Sequence, residues 1–367
     1  MNIKPNQTGT KNFICHYLSI IVLLLFTSCV STKYIDIEVL RPAKISVPPE
    51  IKNVIIIDNS ISVADTLPEI SKLPLQRIEM SKVPYMLGKS FEPFVDTLST
   101  VAINELLNEL NRREFFDTVF IDIKSIKDSF NYLSKKSIDK KYLFALKDIY
   151  NIDAAIVLDS FIYKPKFSIE NLDELGSTYF TQKVSGAINW KFINMMDTTL
   201  MDNYVQQENL IWDYYIDNYQ YLKKKIPKLN QSLHELADYM GYYYADRITP
   251  YWEPVERYYY KSLHGLFSYA NKHVKNNDWS EAEKVWFYIF KTGNKLNSAR
   301  AAHNIALSKE IQGQFRESVE WAYESYKGFK KIKNIYLIPY NRELDYYTKS
   351  AQRFNDKKKL NKQIGGD

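Results

Sequence analysis

The stretch Ala154-Ala155-Ile156-Val157-Leu158-Asp159-Ser160-Phe161-Ile162-Tyr163 predicts a β-strand whose apolar start is buried on both faces. A second uniformly apolar run, Val54–Asp58, has the same character. Between them lie an amphipathic helical stripe that begins at Thr97, a predicted strand at Thr118–Ile123 and a predicted helix at Ser137–Tyr150. Strands and helices in this alternating order indicate a small α/β layer with crossover connections.

The hydrophobic pattern changes period further along the chain. Apolar and polar residues alternate from Val184 to Trp190, and Leu200–Trp212 pairs back across the turn Asp197-Thr198-Thr199 as a predicted hairpin. A predicted helix at Leu229–Ile248 then ends before Pro250. We therefore expect residues 29–260 to form one domain around a small mixed sheet.

The last third of the chain contains an internal repeat. Three pairs of residues recur at a constant offset in a helix–turn–helix context, namely Ala270 with Ala306, Trp279 with Phe315, and Ala282 with Ser318. This pattern resembles the tetratricopeptide repeat, in which small or apolar residues stand where the two helices touch. The resemblance implies two repeats in residues 261–330, followed by a capping helix and tail in residues 331–367. The alternative is a generic array of helical hairpins. The fold class expected for the whole chain is α+β, a mixed sheet domain followed by an all-α array.

Tetratricopeptide arrays bind extended peptides or helices in the concave groove lined by the inner helix of each pair. Mapped onto this sequence, the groove is lined by the candidate partner-binding residues Phe267, Asn271, Arg300, His303 and Leu307. Arg300 and His303 would donate hydrogen bonds to a carboxylate, and Phe267 and Leu307 would supply apolar contacts. In the alternative arrangement, the C-terminal helix of the chain itself fills this groove.

The amino terminus predicts export. Residues 1–28 have the composition of a signal peptide, and the apolar run from Tyr17 to Phe26 is too short to span a bilayer. Phe26-Thr27-Ser28-Cys29 resembles the bacterial lipobox, which implies that Cys29 is acylated and anchors the chain to a membrane. Because no acidic cluster follows Cys29, we expect an outer-membrane location that faces the periplasm. An ordinary secretory signal or an uncleaved anchor is the alternative.

Composition argues against several kinds of chemistry. The chain has 11 glycines and neither G-x-G-x-x-G nor G-x-x-x-x-G-K-[ST], so nucleotide cofactors are not expected. A net charge of +6 is low for a nucleic-acid-binding protein. The two cysteines are Cys15, inside the predicted signal peptide, and Cys29, so no disulfide is expected. His234-Glu235 lacks a second histidine at metal-binding spacing, and no catalytic residue, metal ligand or cofactor is predicted.

Tyrosine is abundant before the repeats, with triplets at Tyr242–Tyr244 and Tyr258–Tyr260. Consecutive residues on a helix point about 100° apart, so a helical triplet does not form one flat platform for a sugar. We expect these tyrosines to fill the seam between the α/β domain and the helical array with their hydroxyls outward, with glycan binding as the alternative.

Several motifs together carry a family resemblance: the lipobox, Ile37–Ala43, the segment Arg247–Tyr259 and the repeats. They resemble an outer-membrane lipoprotein family of Bacteroidota that has no known activity. Phe116-Asp117-Thr118-Val119 and Tyr150–Leu158 are similar to the α/β domains of curli-secretion lipoproteins and of the TolB amino terminus. The resemblance implies a non-enzymatic envelope scaffold that binds protein partners. An oligomeric assembly or secretion component is the runner-up, followed by a glycan-acting enzyme.

Overall fold

The computed structural model describes residues 32–60, 98–122, 140–172, 177–216, 225–261, 265–332 and 337–365. The predicted signal peptide and Cys29 lie outside the described residues. The strands are β1 (Thr32–Arg41), β2 (Asn53–Asp58), β3 (Thr118–Asp122), β4 (Ala154–Leu172), β5 (Ser177–Asn194), β6 (Leu200–Ile216) and β7 (Tyr251–Tyr260). The helices are α1 (Leu98–Arg113), α2 (Lys140–Tyr150), α3 (Leu229–Ile248), α4 (Gly265–Lys275), α5 (Trp279–Thr292), α6 (Lys295–Ile311), α7 (Phe315–Lys330) and α8 (Leu337–Gln363).

The chain divides into two compact units. The sheet unit comprises Leu40–Trp252 and Lys359–Asp367, and the helical unit comprises Met1–Val39 and Glu253–Lys358. The expected fold class, a mixed sheet domain followed by a helical array, is confirmed. The division places most of β1 and β7 in the helical unit, whereas the sequence suggested a domain boundary at residue 260.

The sheet unit is built on five strands in the order β3-β2-β4-β5-β6. The first three are parallel, and β4, β5 and β6 continue as antiparallel hairpins. Val54 and Ile56 of β2 belong to the core that α1 and α3 share. Ile55 and Ile57 belong to the core on the α2 side. All four side chains are fully buried, and each contributes about 1.5–3 kcal/mol to folding.

One close approach fixes how α1 and α3 cross. A Cβ atom at Gly241 of α3 would lie 2.2 Å from the carbonyl oxygen of Ala102 on α1. Only glycine leaves room for the two backbones at this distance. The crossing also brings Leu106 and Tyr244 into the same core.

The three antiparallel strands extend well beyond the end of β2. Pro165 lies in this extension, where β4 has passed β2 and forms an edge of the described sheet that tolerates the missing N–H group. Residues alternate between a buried inner face and a more exposed outer face, as in the β5 series Val184, Gly186, Ile188 and Trp190, which are all buried. The predicted hairpin between β5 and β6 is therefore present.

The helical unit contains two consecutive helical hairpins, α4 with α5 and α6 with α7, followed by α8. Trp279 and Phe315, which the repeat pattern paired, each begin the second helix of a hairpin. Ala282 and Ser318 are both buried one turn later. The side chain of Asp278 caps α5 by accepting a hydrogen bond from the main-chain N–H of Glu281.

The second tyrosine triplet lies on a strand, so the argument from helical spacing does not apply to it. Tyr258–Tyr260 lie on β7, which pairs with β1 in a separate two-stranded sheet. Tyr259 and Tyr260 are buried in the core of the helical unit, and their hydroxyls make buried hydrogen bonds and do not point outward.

Candidate functional site

The five residues predicted to line the groove lie on α4 and α6, and four of them are buried. Phe267 and Leu307 belong to the apolar core of the helical unit. Asn271 accepts a hydrogen bond from the hydroxyl of Tyr259 at 2.7 Å. Their contacts are therefore with this chain itself: Asn271 contacts β7, and His303 contacts both β7 and α8.

His303 is completely buried, and both of its ring nitrogens have polar partners. Nε2 lies 2.8 Å from the main-chain oxygen of Tyr258 on β7, and Nδ1 lies 2.9 Å from Oε2 of Glu343 on α8. Because a carbonyl oxygen can only accept a hydrogen bond, Nε2 carries a proton. The imidazole ring also stacks on the ring of Tyr258, with centroids 4.3 Å apart.

Three hydroxyl groups donate hydrogen bonds to Glu343 in addition to its contact with His303. Tyr260 donates to Oε1 at 2.6 Å, Tyr258 to Oε1 at 3.0 Å, and Ser325 to Oε2 at 2.8 Å. Burial acts to raise the pKa of Glu343, but the charge and hydrogen bond of His303 and the hydroxyls of Tyr260 and Ser325 outweigh it, so the pKa is lowered. An ionised Glu343 can only accept, so in that state Nδ1 donates to it and each ring nitrogen of His303 donates one hydrogen bond.

A second buried carboxylate lies on α6. Glu310 accepts hydrogen bonds from the guanidinium of Arg257 on β7, at 3.0 Å from Nη2, and from the hydroxyl of Tyr346 on α8, at 3.0 Å. Burial and the nearby charge of Glu310 raise the pKa of Tyr346 well above its usual value, so its hydroxyl stays protonated as the donor. One charge pair thus joins β7 to α6, and a second joins α6 to α8.

Sequence reasoning missed Glu343 and Arg257. The signal was a polar stripe on α8, where Glu343, Tyr346, Ser350 and Arg353 recur three or four residues apart and are all buried. A search for apolar periodicity passes over such a stripe because Glu343 and Arg353 are charged and Ser350 is polar.

Arg300, the fifth predicted residue, differs from the other four. Its side chain is half-buried, its guanidinium lies 5.7 Å from the ring centre of Tyr260, and its Nε has no hydrogen-bond partner among the described residues. Desolvation by burial lowers the pKa of Arg300.

The carboxyl ends of the parallel strands form a second candidate site in the sheet unit. Ligands of α/β folds bind where adjacent strands have connections that leave in opposite directions, which here is between β2 and β4. Asp58 accepts from the hydroxyl of Ser99 at 2.7 Å, and Asp159 accepts from Asn59 at 2.9 Å and lies 3.0 Å from Nζ of Lys191. Within the described ranges, no group of three or more potential ligand side chains could hold a metal ion.

The outer face of β4, β5 and β6 is the third candidate site. Ile162 and Lys164 on β4 and Gln207 and Asn209 on β6 form the rims of a depression of about 240 Å³. Ser185 and Ala187 line its floor on β5. Four large apolar side chains on this face are more than half exposed: Ile162, Val205, Ile211 and Tyr215. Apolar exposure of this extent at one face is a feature of interaction surfaces.

Two family models match the chain. One, described as Domain of unknown function (DUF8603), covers residues 51–260, and the other, described as Domain of unknown function (DUF6340), covers residues 268–360. No curated protein matches the chain. In the part of the chain that the structure describes, no helix is long and apolar enough to cross a bilayer.

Proposed function

The chain belongs to the family described as Domain of unknown function (DUF8603), and we propose that it is a lipid-anchored envelope protein that holds partner proteins near a membrane surface. Its role in this proposal is binding, without catalysis. Because a membrane anchor raises the effective concentration of anchored proteins, individual contacts can be weak.

The lipobox-like sequence Phe26-Thr27-Ser28-Cys29 supports the anchor. Acylation of Cys29 would attach the chain to the bilayer surface through lipid alone. The resemblance to Bacteroidota lipoproteins supports an outer-membrane location that faces the periplasm.

The outer face of the three antiparallel strands is the observation that carries the binding role. It has exposed apolar side chains around a shallow depression, whereas the predicted groove residues Phe267, Asn271, His303 and Leu307 are buried among other parts of the chain. A partner that binds at these four residues would first have to displace β7 or α8. In our proposal, the tetratricopeptide-like hairpins therefore form a rigid module, and partner contact takes place on the sheet.

Two variants test the proposal in the native envelope. We expect Cys29→Ser to abolish acyl labelling and to release the protein from the membrane fraction. We expect Ala187→Gln, which fills the depression without changing charge, to lose the crosslinked proteins that the native protein recovers. A native protein that is not acylated, or that crosslinks to no other protein, would contradict the proposal.

An assembly component that self-associates is the second candidate, and strand β6 favours it. β6 is an edge strand of 17 residues in the described sheet, and an open edge of this length can pair with another chain. Sedimentation velocity over a range of concentrations tests this candidate. Discrete oligomers that disappear on dilution would favour it over a monomeric scaffold.

A further inference from the structure

The outer face of β4, β5 and β6 has a register that creates a trough. Ile162 of β4 lies opposite Ala187 of β5, which lies opposite Gln207 of β6. In the next outward-facing row, Ser185 takes the central position between longer side chains. Small residues on the middle strand between longer ones on both neighbours leave space for an inserted side chain.

Three lysines at one end of the trough have no partner within the described ranges. Lys166 lies directly opposite Lys183, and Lys164 stands on the same face two residues before Lys166. No ion pair or hydrogen bond joins the side chain of any of the three to another described residue. Like charges directly opposite each other on a sheet are destabilising. The arrangement therefore lowers the stability of the fold and would be relieved by an anion.

Three occupants of this face can be compared by its shape and chemistry: a second copy of this chain, a bilayer surface and a polypeptide segment. A second copy of this chain would bring the same lysines against these lysines, which is repulsive. A bilayer surface would have to desolvate the rim amides of Gln207 and Asn209 without pairing them. A polypeptide supplies carboxylates for the lysines, main-chain groups for the amides and an apolar side chain for the trough.

The geometry points to this face as a docking surface for an acidic polypeptide segment, with Lys164, Lys166 and Lys183 contacting its carboxylates and the trough over Ala187 receiving an apolar side chain. This inference rests on the proposed scaffold function and names the chemistry of the partner. Exposed charge pairs of this kind weaken with salt, so binding falls as ionic strength rises.

The test measures fluorescence anisotropy of a labelled peptide of alternating Glu and Leu residues, titrated with the full-length protein in detergent. A peptide with Gln in place of Glu controls for the carboxylates. We expect saturable binding of the acidic peptide that Lys164→Glu/Lys166→Glu/Lys183→Glu weakens about tenfold or more. The matched control, Lys275→Glu/Lys295→Glu/Lys357→Glu, changes net charge equally at exposed positions of the helical unit and is expected to bind as the native protein does.

Ala187→Gln provides an arm that leaves the charge unchanged. Its side chain points to the outer face, so its thermal transition is expected to match that of the native protein while peptide binding falls. The inference would be overturned if both lysine triple variants lost the same amount of peptide affinity, or if the native protein showed no saturable binding of the acidic peptide. If the protein binds only vesicles of phosphatidylcholine with phosphatidylglycerol, and the Lys164/Lys166/Lys183 triple variant loses that binding, the face contacts a membrane and the inference is wrong. If the native protein self-associates and the same triple variant does not, the face binds a second copy of the chain and the inference is wrong.

The crosslinking and acylation results distinguish failure of this inference from failure of the scaffold proposal. If the native protein crosslinks to envelope proteins but the lysine triple crosslinks to the same ones, the scaffold proposal stands and the acidic-partner inference fails. If the protein is neither acylated nor crosslinked, the scaffold proposal fails whatever the peptide does.

Discussion

Replacing Glu343 with Gln tests whether a buried ion pair holds α8 against α6 and β7. The carboxylate is completely buried and accepts hydrogen bonds from His303, Tyr258, Tyr260 and Ser325. An amide has one acceptor oxygen in place of two, and its NH₂ group would face a donor. The substitution also leaves the charge of His303 without a counter-ion.

The expected cost is that of breaking a buried pair by removing one partner, about 3–5 kcal/mol. Because the chain has two compact units, global unfolding need not be two-state, so hydrogen exchange read by mass spectrometry is the suitable assay. Glu343→Gln is expected to speed exchange in peptides from α6 and α8 by about 10²–10³-fold or more. Peptides from β2 and β5 of the sheet unit serve as internal controls.

Glu320→Gln is the matched control, because it removes the same charge from an exposed pair with Arg316. Its expected cost is below about 0.5 kcal/mol. Adding His303→Gln to Glu343→Gln is expected to recover part of the protection, since it removes the uncompensated cation. The ion-pair reasoning is refuted if Glu343→Gln lowers protection from exchange no more than Glu320→Gln does. It is also refuted if adding His303→Gln to Glu343→Gln lowers protection by as much as His303→Gln does alone.

The other predictions concern acid, helix crossing and helix capping. Burial acts to raise the pKa of Glu343, but the charge of its histidine partner outweighs burial and the pKa is lowered. The ionised carboxylate therefore stabilises the fold at pH values above the unfolded pKa of about 4.3, and this stabilisation is lost as pH falls through the folded pKa. In that pH range, hydrogen exchange in α8 is expected to accelerate in the native protein and not in Glu343→Gln. Gly241→Ala is expected to lower the thermal unfolding temperature of the sheet unit, because the new Cβ meets the carbonyl oxygen of Ala102. Gly265→Ala has open space around it and is expected to be neutral or slightly stabilising. Equal shifts of the unfolding temperature in the two variants would contradict this. Asp278→Ala is expected to cost about 1 kcal/mol in the helical unit, and unchanged exchange in α5 would show that its cap is not needed.

The strands and helices of the sheet unit were predictable because each has a local hydrophobic pattern. Val54–Ile57 is uniformly apolar since β2 is covered by helices on both faces, and the inner face of β5 alternates from Val184 to Trp190 because its outer face is exposed. Patterns of period two and of uniform burial are properties of neighbouring residues, so the sequence alone displays them.

Strand β7 was not predictable by the same means. Its buried positions include Arg257 as well as Tyr259, so polarity does not alternate along it. Its partner β1 lies more than two hundred residues earlier in the chain, and its charge partner Glu310 lies on α6. Pairings of this range depend on the tertiary fold, which local patterns do not encode.

The two sets of charged residues differ in whether the fold accounts for them. In the helical unit, Glu343 and Glu310 are buried, and each is paired with a cation and with hydroxyl donors, which is the condition under which buried charge is compatible with folding. Lys166 and Lys183 on the sheet are placed opposite each other and lower the stability of the sheet. A residue arrangement that opposes folding requires another cause, so the outer face of the sheet is where the function of this protein is best sought.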